Sequence, residues 1–481
     1  MGIIISAGIL VFVLVLCFRA ARINPIQVLT NQNKTSVKLD VERTIARLSE
    51  AVKKPTISYL DLSRIDRAVF QEFITFLVDS YPFVHQNMKR ELVNDFSSIY
   101  HWKGTDPKLK PVLLLSHIDV VPVEKSTEAD WTHPAFSGEV ADGFVWGRGT
   151  MDMKLHLISI METAETLLKD GFTPRRDIYF AFGHDEETRG EQGAMAMAKI
   201  FVQRGIEFEF VLDEGGVVAE GAFPAIKKPL AMVGIAEKGI ASIELTVNGT
   251  GGHSSMPPRH TAVGLMSRLI TDLENNQMKA RVCDPVKKQF ERIGTELPFL
   301  FRLVTANLWL FGPIIKRFVA SNIMLNSMVR TTTAATMMEG SKAHNVLPPK
   351  AKAVVNFRLL PGDTMEDLTA HIKKISTLDD LRIDPVIADN PSKVSPTENE
   401  AFAMLEETIH QSFPGVLVVP YLVMGATDSR QYENSCGSIY RFSPIQIENS
   451  DRDRIHNVNE RISLENVERS IRFFHNLMLK L

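Results

Sequence analysis

Apolar residues fall in short unbroken runs through the first half of the chain and in alternation further on, and the two patterns predict two kinds of sheet. Val112 to Leu115 is a continuous apolar run, too brief for a helix, which predicts a fully buried strand. Leu155, Ile158, Met161 and Leu168 recur at helical spacing until Asp170-Gly171, and Ile178 to Phe182 reads as another buried strand. A helix near Gly193 to Arg204 and a strand at Phe208 to Leu212 continue the alternation. Helical spacing also marks Val41 to Val52 and the stretch near Ile65 to Tyr81. Strands alternating with helices predict an α/β fold with a mostly parallel sheet covered on both faces.

From about Ala241 the period changes. Ile243, Leu245 and Val247 alternate with Glu244 and Thr246, as do Ala353, Val355 and Phe357 with their neighbours, the pattern of half-solvated antiparallel strands. With a helix near Ala262 to Asn275, they predict an inserted α+β lid domain over 241–377. The catalytic domain is then split into 39–240 and 378–481. Within the insertion, Leu297 to Val319 is unusually apolar and aromatic, which suits either a buried helix pair or a greasy wall for a long-chain substrate.

At the N-terminus Gly2 to Phe18 is apolar almost throughout and is followed by Arg19 and Arg22. Residues 1–22 therefore read as a signal peptide or membrane anchor, and 23–38 as a polar linker. Either reading places the protein in the secretory pathway, secreted or held at a membrane. The sequons Asn33-Lys34-Thr35 and Asn248-Gly249-Thr250 suit that route. Cys17 lies in the leader, and Cys283 and Cys436 read as free buried thiols, with a disulfide between them as the alternative. A chain of 481 residues with 44% hydrophobic and 23% charged residues and a net charge of -3 is an ordinary globular composition. It lacks the basic surface that nucleic-acid binding requires.

Acidic residues and histidines follow the predicted strands. His117 and Asp119 come at the end of one strand and project to the same side, so one can orient the other. Asp152 follows the glycine-bracketed Gly147-Arg148-Gly149 and precedes a helix. Asp185-Glu186-Glu187 follows the next strand, where one glutamate can bind metal while its neighbour moves protons. Asp213-Glu214 follows a third, and His456 adds an imidazole near the C-terminus. Mixed imidazole and carboxylate donors suit zinc with an open position for catalysis.

These segments, together with Gly251-Gly252-His253-Ser254-Ser255 and Gly425-Ala426-Thr427-Asp428-Ser429-Arg430, resemble the dinuclear zinc aminoacylase and carboxypeptidase G/S family from about residue 40 to the end. Within it, phrases such as Gly183-His184-Asp185-Glu186-Glu187 and Val355-Asn356-Phe357-Arg358 are most similar to the branch that hydrolyses and condenses N-fatty-acyl amino acids. The resemblance implies two zinc ions per subunit, His117 and Asp213 on one, Glu187 and His456 on the other, and Asp152 bridging. It implies that Asp119 orients His117, that Glu186 is the general base and acid, and that His253 stabilises the oxyanion, in some members from the partner of a homodimer. Asn345, Arg358, Gly425 and Asp428 correspond to substrate-binding positions, with Arg358 suited to a substrate carboxylate. The implied partners are a small lipid-amino-acid substrate and a lipid or lipoprotein surface. The alternative substrate is a short peptide, as for a carboxypeptidase S-like enzyme or dipeptidase. Leu155 and His156 depart from the family pattern, which has small or polar residues after the lysine.

Overall fold

All six side chains of Val112–His117 are buried, and this strand lies in the middle of the larger sheet. The structure is a computed structural model that describes residues 2–22, 39–221, 226–307, 309–312, 323–448, 451 and 453–481. The linker 23–38 and the sequon at Asn33 lie outside the described residues. The main elements begin with α1 (Gly2–Ala21), α2 (Val41–Val52), α3 (Arg67–Ser80), β1 (Lys89–Val93), β2 (Ser97–Trp102), β3 (Val112–His117) and β4 (Phe144–Trp146). Then come α4 (Leu155–Lys169), β5 (Ile178–Gly183), α5 (Ala194–Gln203), β6 (Phe210–Asp213) and β7 (Leu230–Glu237). The middle of the chain holds β8 (Gly239–Asn248), α6 (Ala262–Asn275), α7 (Asp284–Gly294), α8 (Phe299–Ala306), α9 (Ile323–Val329), β9 (Thr332–Glu339), β10 (Lys350–Leu359), α10 (Met365–Ile375) and β11 (Arg382–Asp389). Last are α11 (Glu400–Ser412), β12 (Leu417–Val423), β13 (Ile439–Arg441), β14 (Arg461–Ser463) and α12 (Leu464–Met478).

The larger sheet runs β1-β2-β5-β3-β6-β13-β7, and β12 pairs with β7. β3 is parallel to β5 and β6, β13 to β6, and β12 to β7, while the β1-β2 hairpin adds antiparallel strands at one edge. Successive side chains point to opposite faces of a strand, and the core divides accordingly. Leu114, Phe180 and Leu212 pack with α4 and α12, whereas Leu113, Leu115, Tyr179 and Val211 pack with α5. Loops after β3, β5 and β6 therefore emerge together at one end of the sheet, where ligands bind in folds of this class, whereas β7 and its parallel partner β12 run against β13.

The smaller sheet runs β9-β10-β8-β11, antiparallel throughout. Ile243, Leu245, Val247, Val355 and Phe357 bury one face against α6 and α10. The opposite face carries Ile240, Arg358 and Asp389 in a cross-strand row, because Ile240 pairs with Arg358 on one side and Asp389 on the other. Two expectations change here. β11 belongs to this sheet, so the lid sheet extends from Gly239 to Asp389 and not to 377. Between its strands, α7 leaves the lid and packs on the larger sheet: Val286 and Ile293 meet Leu422, Leu417 and Val419, and Arg292 pairs with Glu406 of α11 at 2.7 Å.

The apolar stretch from Leu297 is neither a buried helix pair nor, in its described part, a wall of the pocket below. α8 has no buried residue and exposes Phe299, Leu300 and Phe301. Its neighbour is α1: Asn307 Nδ2 donates to the Leu16 carbonyl at 3.2 Å, Leu16 and Ala20 are buried, and Phe12 meets Trp309 edge-on. Cys283 and Cys436 are free and buried in different clusters. Asn248 is exposed at the end of β8.

Candidate active site

His117, the last residue of β3, is buried, and its Nδ1 lies 3.0 Å from the Asp119 carbonyl and 3.4 Å from the Asp119 carboxylate. Donating Nδ1–H there leaves the Nε2 lone pair turned into the site, as ligating histidines require. Asp119 is fully buried and accepts from Ser58 Oγ at 2.6 Å and from the backbone N–H groups of Glu186 and Glu187, each at 3.2 Å. Burial works against its charge, but His117, Ser58 and the amide of Glu187 hold the carboxyl below its usual range. One side chain thus fixes both the imidazole and the Glu186-Glu187 turn.

Around His117 Nε2 stand Asp152 Oδ1 at 3.2 Å and Glu214 Oε1 at 3.4 Å. The other Asp152 oxygen lies 2.8 Å from His456 Nε2, which is 3.3 Å from Glu187 Oε1. Asp152 therefore faces one group with each oxygen, the arrangement of a bridging carboxylate. The donor triads His117, Asp152 and Glu214, and Asp152, Glu187 and His456, each gather within 4.8 Å. Ligands of a tetrahedral zinc, each about 2.0–2.2 Å from the ion, stand roughly 3.4 Å apart, so the spacings fit.

The electrostatics point the same way. Burial and the charge of Asp152 push Glu214 up to about 8. Burial first, then Glu214, Asp428 and Glu187 outweigh the pull of His117 and raise Glu186 well above its ordinary value. The neighbouring carboxylates of Asp152 and Glu187 raise His456 to about 10. Glu187 Oε1 is buried and has no hydrogen-bond partner, its approach to His456 being outside bonding geometry. Carboxylates crowded together with one orphaned oxygen are what a site for divalent cations requires.

Asp213 does not stand where the sequence reading put it. As the last residue of β6 it is buried and accepts from Ser429 N–H at 2.8 Å and from Glu214 N–H at 2.9 Å. Val211, two residues back, packs with the α5 side of the sheet, and Leu212 with the α4 side. Side-chain alternation therefore sends Glu214, not Asp213, toward the face that carries Asp152. That alternation was the signal available in the sequence.

The cavity over the cluster has a volume of about 360 Å³. Asp152, Glu186, Glu187, Glu214 and His456 line one side, and Ile240, Arg358, Ile387 and Asp389 of the lid sheet the other. Gly425 and Asp428 line it too, along with Met195, Arg430 and Arg189, the last paired with Asp389 at 3.1 Å. Asp428 is buried where Gly183 and Gly190 lack side chains, and a Cβ on Gly183 would come within 2.7 Å of its Oδ2. Arg358 makes no hydrogen bond or ion pair through its guanidinium among the described residues. Its pKa is lowered by burial and by the charge of Arg430. His253 and Asn345 are not brought to this cavity. Both are exposed beside each other on the lid, where Ser254 N–H donates to the Asn345 carbonyl at 3.0 Å and His253 Nδ1 faces Ser255 Oγ at 2.7 Å. His156 is buried against Phe474 and leaves the cavity untouched.

The fold and this site define a metal-dependent amide hydrolase. The chain belongs to peptidase family M20/M25/M40, whose family model matches residues 113–480. It is 40% identical over 437 residues to a carboxypeptidase S-like protein of Dictyostelium discoideum, covering 90% of this chain and 84% of that one. It is 38% identical over 432 residues to an N-fatty-acyl-amino acid synthase/hydrolase of Bos taurus, covering 89% and 85%. The M20 family metallo-carboxypeptidase of Sulfolobus solfataricus superposes with a TM-score of 0.67 at 16% identity, covering 90% of this chain and 98% of that one.

Proposed function

We propose that the protein hydrolyses N-fatty-acyl amino acids, and condenses them from fatty acid and amino acid, with two zinc ions held by His117, Asp152, Glu214, Glu187 and His456. The observation that carries this reading is the unpaired Arg358 guanidinium across the cavity from the metal-ready cluster. A substrate with an amide at one end of a short reach and a carboxylate at the other fits between them, and a planar guanidinium binds carboxylate with two parallel hydrogen bonds. Ile240, Ile387 and Met195 add apolar wall. Metals held by these residues would supply a polarised carbonyl and a water of lowered pKa. Glu186, fixed through its amide to Asp119, takes the proton of that water as its oxygen attacks the amide carbon. It returns the proton to the nitrogen as the C–N bond breaks. The reverse sequence forms the amide, and reactant concentrations set the direction. A panel of N-oleoyl-Phe, N-acetyl-Phe and Gly-Leu tests this, with zinc present. The expected result is preference for the oleoyl compound. Preference for the dipeptide moves the protein to the carboxypeptidase S-like alternative that its Dictyostelium discoideum relative represents.

His253 and Asn345 enter this reading from a second copy of the chain, since both face solvent away from their own cavity. Mixtures of His253→Ala and Glu186→Gln chains, refolded together, are expected to regain activity that neither has alone, because the mixed dimer contains one complete site. No recovery at any mixing ratio sinks the shared site.

A further inference from the structure

The turn that carries Asp152 points its backbone N–H groups inward, at a side chain with no role so far. Gly149 has a left-handed φ of 86°, and a Cβ there would come within 2.6 Å of Val120 Cγ1, so the bend requires glycine. After it, the N–H groups of Gly149 and Met151, each at 2.9 Å, and of Asp152 at 3.4 Å converge on Glu460 Oε1. The other oxygen, Oε2, accepts from Arg148 Nη1 at 2.6 Å. Successive N–H groups aimed at one point make a nest for an anion, and here a carboxylate of the same chain fills it. Glu460 is fully buried.

The owner of that carboxylate lies four residues after His456. The Glu460 carbonyl also accepts from Gly147 N–H at 2.9 Å, and the next residue opens β14, whose Arg461 pairs with Trp146 of β4. The imidazole of His456 is half exposed and its backbone has a φ of 60°, so its ring is not held by packing. Asn459 pins the same loop to the stretch 130–132 through Thr132 N–H and the Asp130 carbonyl, and Trp131 in that stretch lies under Arg148, 5.5 Å from ring centroid to guanidinium. Glu460 joins the His456 loop to the backbone N–H groups of the turn bearing Asp152.

We propose that Glu460 is a positioning residue for the metal centre. It sets the separation of the bridging carboxylate Asp152 from His456 by holding both of their segments with one buried carboxylate. The proposal rests on the reading of these residues as metal ligands. In Glu460→Gln one oxygen becomes an NH2 group, which faces either the converging N–H groups or the Arg148 guanidinium as donor against donor, and the charge that partners Arg148 is lost, so the turn relaxes around Asp152.

The test uses the full chain stripped of metal and titrated with zinc against a chromophoric chelator. Cobalt(II) absorption spectra and melting of the metal-free form are measured alongside. Glu460→Gln is expected to weaken zinc binding by roughly 10–100-fold, the usual consequence of losing a group that orients ligands, and to change the cobalt spectrum. Glu460→Asp, which keeps the charge but falls short of the amides, is expected to lie between that variant and the native chain. A Glu460→Gln chain that melts lower yet binds zinc with native affinity and gives the native cobalt spectrum overturns the proposal, leaving Glu460 a scaffold residue. If that variant does not fold, native affinity and spectrum in Glu460→Asp overturn it equally. A native chain that takes up no stoichiometric metal overturns the metal centre itself, and the positioning role with it.

Discussion

Replacing Glu186 by glutamine is expected to lower turnover by roughly 10²–10⁴-fold, the usual weight of a positioned general base, with metal content and melting temperature nearly unchanged. The backbone bond from Glu186 N–H to Asp119 survives the change, and the amide has the volume of the carboxyl. Two donor triads remain complete without it: His117, Asp152 and Glu214, and Asp152, Glu187 and His456. What disappears is a half-buried proton acceptor whose affinity for protons is raised by desolvation and by Glu214, Asp428 and Glu187. Metal analysis beside steady-state kinetics separates the roles. Near-native turnover in the variant refutes the base assignment, and a parallel loss of metal makes Glu186 a ligand instead.

How much of this was legible in the sequence depended on whether a residue acts through its own strand or through a distant one. Continuous apolar runs read directly as the buried strands Val112–His117 and Ile178–Gly183, since runs too short for a helix are what a sheet covered on both faces gives. His117, Asp152, Glu186, Glu187 and His456 could be named because each follows a recognisable strand, turn or motif. The boundary at 377 was misplaced because β11, RIDPVIAD, has little apolar alternation: it lies at the edge of the lid sheet and only its pairing with β8 shows where it belongs. Glu460 gave no local signal, since its partners lie about 310 positions earlier in the chain. Arg358 and Ile240 face the cavity because Phe357 and Ala241 face the lid core. That was readable from period 2 once the buried face was known, but which open face meets the catalytic sheet was not.

The neighbours Asp213 and Glu214 are expected to give opposite results when each loses its charge. Glu214→Gln removes a carboxylate 3.4 Å from His117 Nε2, so with the two-zinc site proposed above the chain is expected to lose one cation. Activity should fall by at least the 10–100-fold that loss of an outer partner of a metal ligand brings. Asp213→Asn keeps an acceptor oxygen but sets an NH2 group against one of two buried N–H donors, those of Ser429 and Glu214. It is expected to lower stability by about 1–3 kcal/mol and to leave both cations bound. The metal-free chain supplies an independent check through pH. Glu214 is raised from its ordinary 4.5 to about 8 by burial and by Asp152. The folded state therefore holds a proton that the unfolded state releases, and stability falls as pH rises from about 4.5 through about 8. Glu214→Gln should flatten that slope, whereas Asp213→Asn should lower the curve and keep most of the Glu214 contribution, which burial and Asp152 set first and the Asp213 charge only adds to. Retention of both cations by Glu214→Gln, with loss of one by Asp213→Asn, would return the ligand to Asp213 and require the loop after β6 to be turned over.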